Sequence, residues 1–179
     1  MHIRSGPRLR QLTMTSAAAA VMGVLAPWGA AIGPIPVTLC TLLIYLMAYV
    51  LRPKGCVAAV TVYILMGLAG LPVFSGFAGG AAVLAGPTGG FVLGYPVMAL
   101  ICAVSAGRPG RGLAGMCLST AVLYAMGTAW YCLQTGVGLW GGIAVCVLPC
   151  LPGDGIKIAA AVAVGPALRD RLSRAGLAG

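Results

Sequence analysis

The hydrophobic positions of the chain form long uncharged runs, separated by short clusters of charged residues. No acidic or basic side chain falls within residues 11–51 or 55–107, which are runs of 41 and 53 residues. Residues 112–168 form a third run that only Asp154 and Lys157 interrupt. A membrane-spanning helix needs about 20 apolar residues, so each run can hold two helices and a turn. The pattern predicts six helices, at about 12–32, 37–51, 55–70, 87–107, 112–134 and 154–172.

The amino-acid composition indicates that these helices lie in a lipid bilayer. Hydrophobic residues make up 60% of the 179-residue chain and charged residues 7%, with a mean hydropathy of +1.03. One soluble core of this size could not bury that much apolar surface. We therefore predict an all-α integral membrane protein with a single transmembrane bundle over residues 1–179, without a separate catalytic or ATP-binding domain. The first helix also fits a cleaved signal peptide, but its removal would spoil the paired spacing.

The charged clusters predict the orientation in the membrane. Three consecutive hairpins return every basic cluster except the Asp154/Lys157 pair to one side, which the positive-inside rule assigns to the cytoplasm together with both termini. The formal charge of +9 is then mostly an orientation signal, and the scattered basic residues argue against nucleic-acid binding. Aromatic residues near the predicted outer ends fit an interfacial belt. They are Trp28, Trp130, Tyr131 and Trp140.

The three outward turns are rich in glycine and proline. They cover residues 33–39, 70–90 and 134–154, and the latter two are long and apolar. Non-helical backbone at membrane depth is tolerated only where protein or a cavity surrounds it, and glycine lets backbone approach a ligand closely. We expect these turns to form the lid and wall of a ligand pocket near the outer face. The alternative is that they are well-packed connectors.

Asp154 and Lys157 are the candidate ligand-binding charges. Lys157 precedes Arg169 by 12 residues, which places it roughly 18 Å above the cytoplasmic end of its helix, with Asp154 at about 22 Å and Tyr95 of helix 4 at about 20 Å. Spacing of i,i+3 puts the two charges on one helix face. Asp154 is also expected to cap the sixth helix, whose free N–H groups favour an anion. Buried ions usually face a cavity or a partner, although the pair could merely neutralise itself.

Several stretches resemble the BioY family, the biotin-specific substrate-binding (S) subunits of energy-coupling-factor (ECF) vitamin transporters. They occur in the family's order along the whole chain, and they read PIPVTL, GLPVFSGFAGG, LAGPTGGFVLGYP and LPCLPGDGIK. The resemblance implies six membrane helices in the bacterial cytoplasmic (inner) membrane and high-affinity binding of biotin near the outer face. It also implies three partner proteins, a transmembrane coupling subunit and two ABC-type ATPase subunits.

The resemblance assigns biotin contacts to particular residues. Asp154 would accept hydrogen bonds from the ureido N–H groups of biotin, and Lys157 would meet either the ureido oxygen or the carboxylate. Tyr95 is a further candidate, although packing explains it equally well, and so is the backbone of Gly86, Pro87, Thr88, Gly89 and Gly90. Family members commonly have glutamine after PVTL, whereas Cys40 stands here, and we assign Cys40 no role.

Small residues on the first helix predict a docking surface for the coupling subunit. Small-xxx-small spacing lets another helix approach closely, and internal packing is the alternative use. The candidate docking residues are Ser16, Ala19, Ala20 and Gly23.

No P-loop pattern surrounds either lysine, so ATP hydrolysis is expected only in partner subunits.

Other functions remain open at this point. An S subunit for a different vitamin would share these features, and a small proton-coupled carrier could use Asp154 and Lys157 as a relay. No catalytic triad or acid/base pair is apparent, so we do not expect an enzyme. Neither a metal site nor a cofactor is expected, because the one histidine is His2 and no CxxC pair occurs. Cys146 and Cys150 could form a disulfide.

Overall fold

The computed structural model describes residues 7–30, 35–106 and 110–175, which fold almost entirely into α-helices. Six helices have 11 to 25 residues, and two shorter ones lie in the turns. In chain order the helices are α1 (Pro7–Leu25), α2 (Cys40–Val50), α3 (Pro53–Leu68), α4 (Ala81–Ala85), α5 (Gly89–Ser105), α6 (Arg111–Thr135), α7 (Leu139–Cys146) and α8 (Cys150–Arg174). Two-residue strands β1 (Gly29–Ala30) and β2 (Val37–Thr38) pair antiparallel, and Ser75–Phe77 is a 3-10 turn.

The predicted all-α class is confirmed, whereas three helix boundaries were wrong by four or more residues. Helix α1 begins at Pro7 rather than near residue 12. Helix α1 ends at Leu25 rather than near residue 32, because Pro27 disfavours helical backbone at Ala26 and lacks an N–H donor of its own. Helix α8 begins at Cys150 rather than at 154. It accommodates Pro152 in its first turn, where the backbone N–H groups have no helical acceptor anyway.

Membrane crossing is clearest for two helices. Among the described helices, α6 and α8 are long and apolar enough to span a bilayer, whereas α2, α3 and α5 are apolar but shorter. The first outward turn lies partly outside the described residues, since residues 31–34 are not among them, and neither are Arg4 and Arg108.

The outward turns contain more helix than the sequence predicted. Helix α4 and the 3-10 turn occupy the second turn, and α7 occupies the third. Helical turns satisfy backbone hydrogen bonds internally, and this matters where water is scarce. The six predicted helices included neither α4 nor α7, so the prediction missed the helical part of these two turns.

Close glycine contacts hold the long helices together. Helix α5 packs along α6, where the phenyl ring of Phe91 lies against Gly127. Helix α2 packs between α5 and α8, and the ring of Tyr49 covers Gly165 of α8. In both places a side chain at the glycine would occupy the space of the ring. The arrangement surrounds α2 with α5 and α8, and it brings the start of α2 close to the second turn of α8.

Candidate functional site

A cavity of about 390 Å³ lies at the end of the bundle that carries the long turns. Its walls come from the start of α2, from α3, α5, α6 and α8, and from residues between Phe74 and Thr88. Most of the wall is apolar and aromatic, including Tyr63, Phe74 and Phe91. The shape is that of a pocket for a small molecule with one large apolar part.

The charged pair forms one wall of this cavity. Asp154 and Lys157 both line it, and the Lys157 Nζ atom lies 2.8 Å from Asp154 Oδ1. The prediction that i,i+3 spacing puts both charges on one face of α8 is thus confirmed. Asp154 is only 5% exposed, so its charge needs compensation from neighbouring groups.

Two hydroxyl groups from other helices donate hydrogen bonds to the Asp154 carboxylate and help to stabilise its buried charge. Thr41 Oγ1 donates to Asp154 Oδ1 at 3.0 Å, and Tyr124 OH donates to Asp154 Oδ2 at 2.6 Å. Lys157 Nζ also donates to Thr41 Oγ1 at 3.0 Å. An ammonium has three donors, and two are used in these contacts with the described residues. Lys157 can therefore offer one further donor, and Asp154 Oδ2 one further acceptor position, to a ligand. We call Asp154, Lys157, Thr41 and Tyr124 the polar cluster.

Asp154 does not cap its helix, contrary to the prediction. The N-cap is Pro149, and Asp154 is the fifth residue of α8, so its carboxylate lies one turn beyond the free N–H groups. The carboxylate is held by side chains of α2, α6 and α8 instead. The Asp154 carboxylate therefore does not use the free N–H groups at the start of α8.

The glycine-rich stretch divides between the cavity and the helix packing. Gly86, Pro87 and Thr88 line the cavity, as does Tyr95 from α5. Gly89 and Gly90 are not among the lining residues. A side chain on Gly89 would meet the backbone of Leu84, and one on Gly90 would meet Trp130 of α6.

The second turn is held in place by contacts with the short segment between α1 and β1. Gly76 donates its N–H to Pro27 O at 3.1 Å, and the rings of Trp28 and Phe77 meet edge to face at 5.7 Å. Phe77 has a φ of 60°, a conformation that is strained for a bulky residue. Together these contacts hold the segment that carries Phe74 and Ser75, both of which line the cavity.

Many of the lining residues were not predicted from the sequence, and three of them, Thr41, Tyr124 and Cys40, bear on the polar part of the wall. Thr41 directly follows the first-turn motif and Cys40, but its hydroxyl gave no separate signal. Tyr124 lies in the middle of an apolar helix, where nothing in the sequence marks it. Cys40 is 2% exposed, and its Sγ atom lies 3.5 Å from Tyr63 OH, which itself donates to Val73 O. The glutamine common at the position of Cys40 in the family was the available signal for this part of the wall.

The candidate docking residues on α1 face two directions. Ala19 is buried in the core, and Gly23 faces the side chains of Val73 and Met66. Ser16 and Ala20 are exposed on the outside of α1. Of the four candidates, Ser16 and Ala20 are exposed, Gly23 is half-buried and Ala19 is buried.

The cysteines form neither a disulfide nor part of a metal site in the residues that the structure describes. All seven cysteines are free thiols, so the disulfide considered between Cys146 and Cys150 is absent. Within residues 7–30, 35–106 and 110–175, no three His, Cys, Asp or Glu side chains are grouped as metal ligands would be.

Comparisons with known proteins agree on one family. A family model described as BioY matches residues 2–174. The chain is 32% identical over 162 residues to the "Probable biotin transporter BioY" of Pyrococcus horikoshii, covering 90% of this chain and 98% of that protein. It is 37% identical over 126 residues to the "Biotin transporter BioY" of Thermotoga maritima, covering 66% and 72%. A crystal structure of the S-component for biotin from an ECF-type ABC transporter superimposes with a TM-score of 0.82 at 25% identity, covering 97% of this chain and 95% of that one.

Proposed function

The chain belongs to the BioY family, and from that membership we propose that it binds biotin for uptake as the substrate-binding subunit of an ECF-type transporter. The observation that carries the proposal is the polar cluster, which meets an apolar cavity of about 390 Å³. Small-molecule pockets generally have volumes of about 300–1,000 Å³ and a few fixed polar groups. Biotin needs such a combination, because it joins a ureido group to an apolar thioether ring and an alkyl tail.

The polar cluster suits the ureido group. A ureido N–H would donate to Asp154 Oδ2, and the adjacent ureido oxygen would accept from Lys157 Nζ. The acid and the ammonium are in direct contact at 2.8 Å, so a ligand group with a donor and an acceptor on neighbouring atoms complements both. Charge-assisted hydrogen bonds of this kind are strong in a dry site. We therefore favour the ureido oxygen over the biotin carboxylate as the partner of Lys157.

The apolar walls suit the remainder of biotin. Phe74 and Phe91 line the cavity beside Tyr95, and aromatic rings make favourable contacts with a thioether sulfur. Gly86, Pro87 and Thr88 lie in the same wall, and at Gly86 the backbone can approach a ligand without an intervening side chain. Gly89 and Gly90 would contribute indirectly, by letting α5 lie close to α4 and α6.

We place the protein in the bacterial inner membrane with six spans, cytoplasmic termini and an outward-facing cavity. Basic residues mark one end of the bundle, where α1 and α6 begin and α8 ends. They are Arg8, Arg10, Arg111, Arg171 and Arg174. The cavity lies at the other end, among the uncharged turns. This distribution supports a cytoplasmic position for the basic end.

Transport would require partners that hydrolyse ATP. We propose a complex with a transmembrane coupling subunit and two ABC-type ATPase subunits. The exposed residues Ser16 and Ala20 are our proposed contact with the coupling subunit, because small side chains permit close approach of helices. Ala19 and Gly23 support the same helix from within, through their packing against the rest of the bundle.

Bulky residues at the proposed contact should prevent assembly. We expect Ser16→Trp/Ala20→Trp to abolish co-purification of the coupling subunit while biotin binding by the isolated protein stays unchanged. The physical reason is that an indole would hold the two helices apart. Ala163→Trp, on an exposed position of α8, is the matched control. Normal assembly of the Ser16/Ala20 variant would remove this surface from consideration.

Direct titration tests the proposed ligand. We expect the purified protein in detergent to bind biotin tightly in isothermal titration calorimetry and to show no heat with thiamine or riboflavin. Binding should need neither nucleotide nor a proton gradient, because the polar cluster is complete within this chain. A folded preparation that binds another vitamin, or none, would contradict the assignment of biotin.

A further inference from the structure

The cavity wall between Ala82 and Thr88 is held by only limited apolar packing. It consists of part of α4 and the three residues that join α4 to α5. Helix α4 has five residues, of which three are exposed and two, Val83 and Leu84, are half-buried. Among the described helices, α5 is the one against which α4 packs closely. A helix this short is not stable by itself, so other interactions are needed to fix the position of this wall.

Two side chains of α6 donate hydrogen bonds to the carbonyl groups at the end of α4. Gln134 Nε2 donates to Ala85 O at 2.8 Å, and Trp130 Nε1 donates to Gly86 O at 2.9 Å. The two donors are four residues apart in α6, so they lie on one face of that helix. We call Trp130 and Gln134 the donor pair.

The end of α4 uses these donors because the backbone does not supply them. In a continuous helix Gly89 N–H would donate to Ala85 O. Here the chain leaves the helix at Gly86, and Gly89 N–H donates to Gly86 O instead. Pro87 has no N–H to offer. Among the residues that the structure describes, Ala85 O therefore accepts from Gln134 alone.

We propose that Trp130 and Gln134 are positioning residues for the ligand, an inference that rests on the proposed function. Neither residue lines the cavity, so both act through the wall at Gly86. They connect this wall to α6, which also carries Tyr124 of the polar cluster. Tyr124 precedes Trp130 by six residues, or about 9 Å along the helix. One helix thus sets the distance between the wall and a group that holds Asp154.

Loss of the donor pair should leave the wall correctly placed in only a fraction of the empty molecules. The apparent dissociation constant rises in inverse proportion to the fraction that is competent to bind. For Trp130→Phe/Gln134→Met we expect the dissociation constant for biotin to rise about tenfold. Phenylalanine keeps the Cβ and Cγ atoms that pack on Gly90, and methionine keeps the length of glutamine.

Hydrogen–deuterium exchange of the detergent-solubilised protein separates positioning from overall stability. In the empty double variant we expect faster amide exchange in residues 81–90 alone, with little change in melting temperature, and saturating biotin should slow this exchange again. Gln134→Lys keeps a donor at the same position and should retain the parent affinity in isothermal titration calorimetry. Trp140→Phe and Gln11→Met change the same residue types at exposed positions of α7 and α1, and neither should alter exchange or affinity.

Three results would overturn the positioning role. The first is exchange in residues 81–90 that matches the parent, and the second is faster exchange with unchanged biotin affinity. The third is an equal rise in exchange throughout the chain, which would indicate a general loss of stability. A parent protein that binds no biotin would instead contradict the proposed function, and exchange in the empty variants would still decide whether the donor pair holds the end of α4.

Discussion

Asp154→Asn is expected to weaken biotin binding at least tenfold, or about 1.4 kcal/mol. The carboxylate accepts from Thr41, Tyr124 and Lys157, and the neutral amide removes the charge that strengthens all three hydrogen bonds. It also leaves the Lys157 ammonium without its counter-charge beside an apolar cavity. Removing one partner of a buried ion pair typically lowers the free energy of unfolding by about 3–5 kcal/mol. Calorimetric titration of the purified variant measures the change.

Companion variants apportion the effect within the polar cluster. Lys157→Ala should also weaken binding at least tenfold, because it removes the proposed donor to the ureido oxygen. Tyr124→Phe deletes only the hydroxyl that lies 2.6 Å from Asp154 Oδ2. It should weaken biotin binding less than Asp154→Asn or Lys157→Ala does. In the double variant Asp154→Asn/Lys157→Ala, the loss of biotin-binding free energy should be smaller than the sum of the losses in the two single variants. Each single variant leaves one charged or polar partner unpaired in the site, and the double variant does not. A folded Asp154→Asn protein with the parent affinity would exclude the polar cluster as the biotin site.

Gly90→Ala is expected to lower thermal stability, although alanine is a better helix former than glycine. The added Cβ would lie 2.8 Å from Trp130 Cγ and 2.9 Å from Met126 O, closer than van der Waals contact allows. Moving α5 away from α6 to relieve these contacts should cost about 1–3 kcal/mol. Trp130 also donates from Nε1 to Gly86 O at 2.9 Å, so its displacement should disturb the cavity wall and weaken biotin binding.

Gly155→Ala is the matched control for this helix contact. Gly155 lies inside α8, and a Cβ there would meet nothing within 4 Å. The substitution should raise stability by up to about 1 kcal/mol through helix propensity alone. In melting curves of the detergent-solubilised proteins, we expect the two variants to differ by at least about 2 °C. Equal melting temperatures would show that the close approach at Gly90 is unimportant.

The sequence predicted the long helices and the charged pair better than the details around them. Apolar runs and charge clusters suffice to locate six long helices, because membrane helices are set by length and hydropathy. The last residue of α1 and the first residue of α8 were misplaced because proline has a different effect at each position. Pro27 ends a helix, whereas Pro152 fits within a first turn. The choice between these outcomes depends on packing that the local sequence does not contain.

The partners of Asp154 could not be predicted for a different reason. Its contact with Lys157 is local in sequence, so helix periodicity alone indicates it. Thr41 is 113 residues away in the chain and Tyr124 is 30 residues away. Threonine and tyrosine also occur at many positions without a binding role. Only the packing of α2 and α6 against α8 shows which hydroxyls converge on the carboxylate.

The same limit applies to the glycine-rich stretch from Gly86 to Gly90. Gly86, Gly89 and Gly90 have the same signature in sequence, because each glycine indicates backbone that another group approaches closely. For Gly86, Pro87 and Thr88 the neighbour is the cavity, whereas for Gly89 and Gly90 it is the chain itself. Composition alone does not distinguish a ligand from a neighbouring helix.

The contact between Lys157 and Asp154 has an electrical consequence. A single charge that crosses a membrane potential of 100 mV exchanges about 2.3 kcal/mol with the field. The joined acid and base have no net charge, and Lys157 Nζ lies only 2.8 Å from Asp154 Oδ1. Displacement of the empty site along the bilayer normal therefore involves almost no electrical work. Once biotin is bound, the voltage acts on the carboxylate of the vitamin and not on the protein groups that hold it.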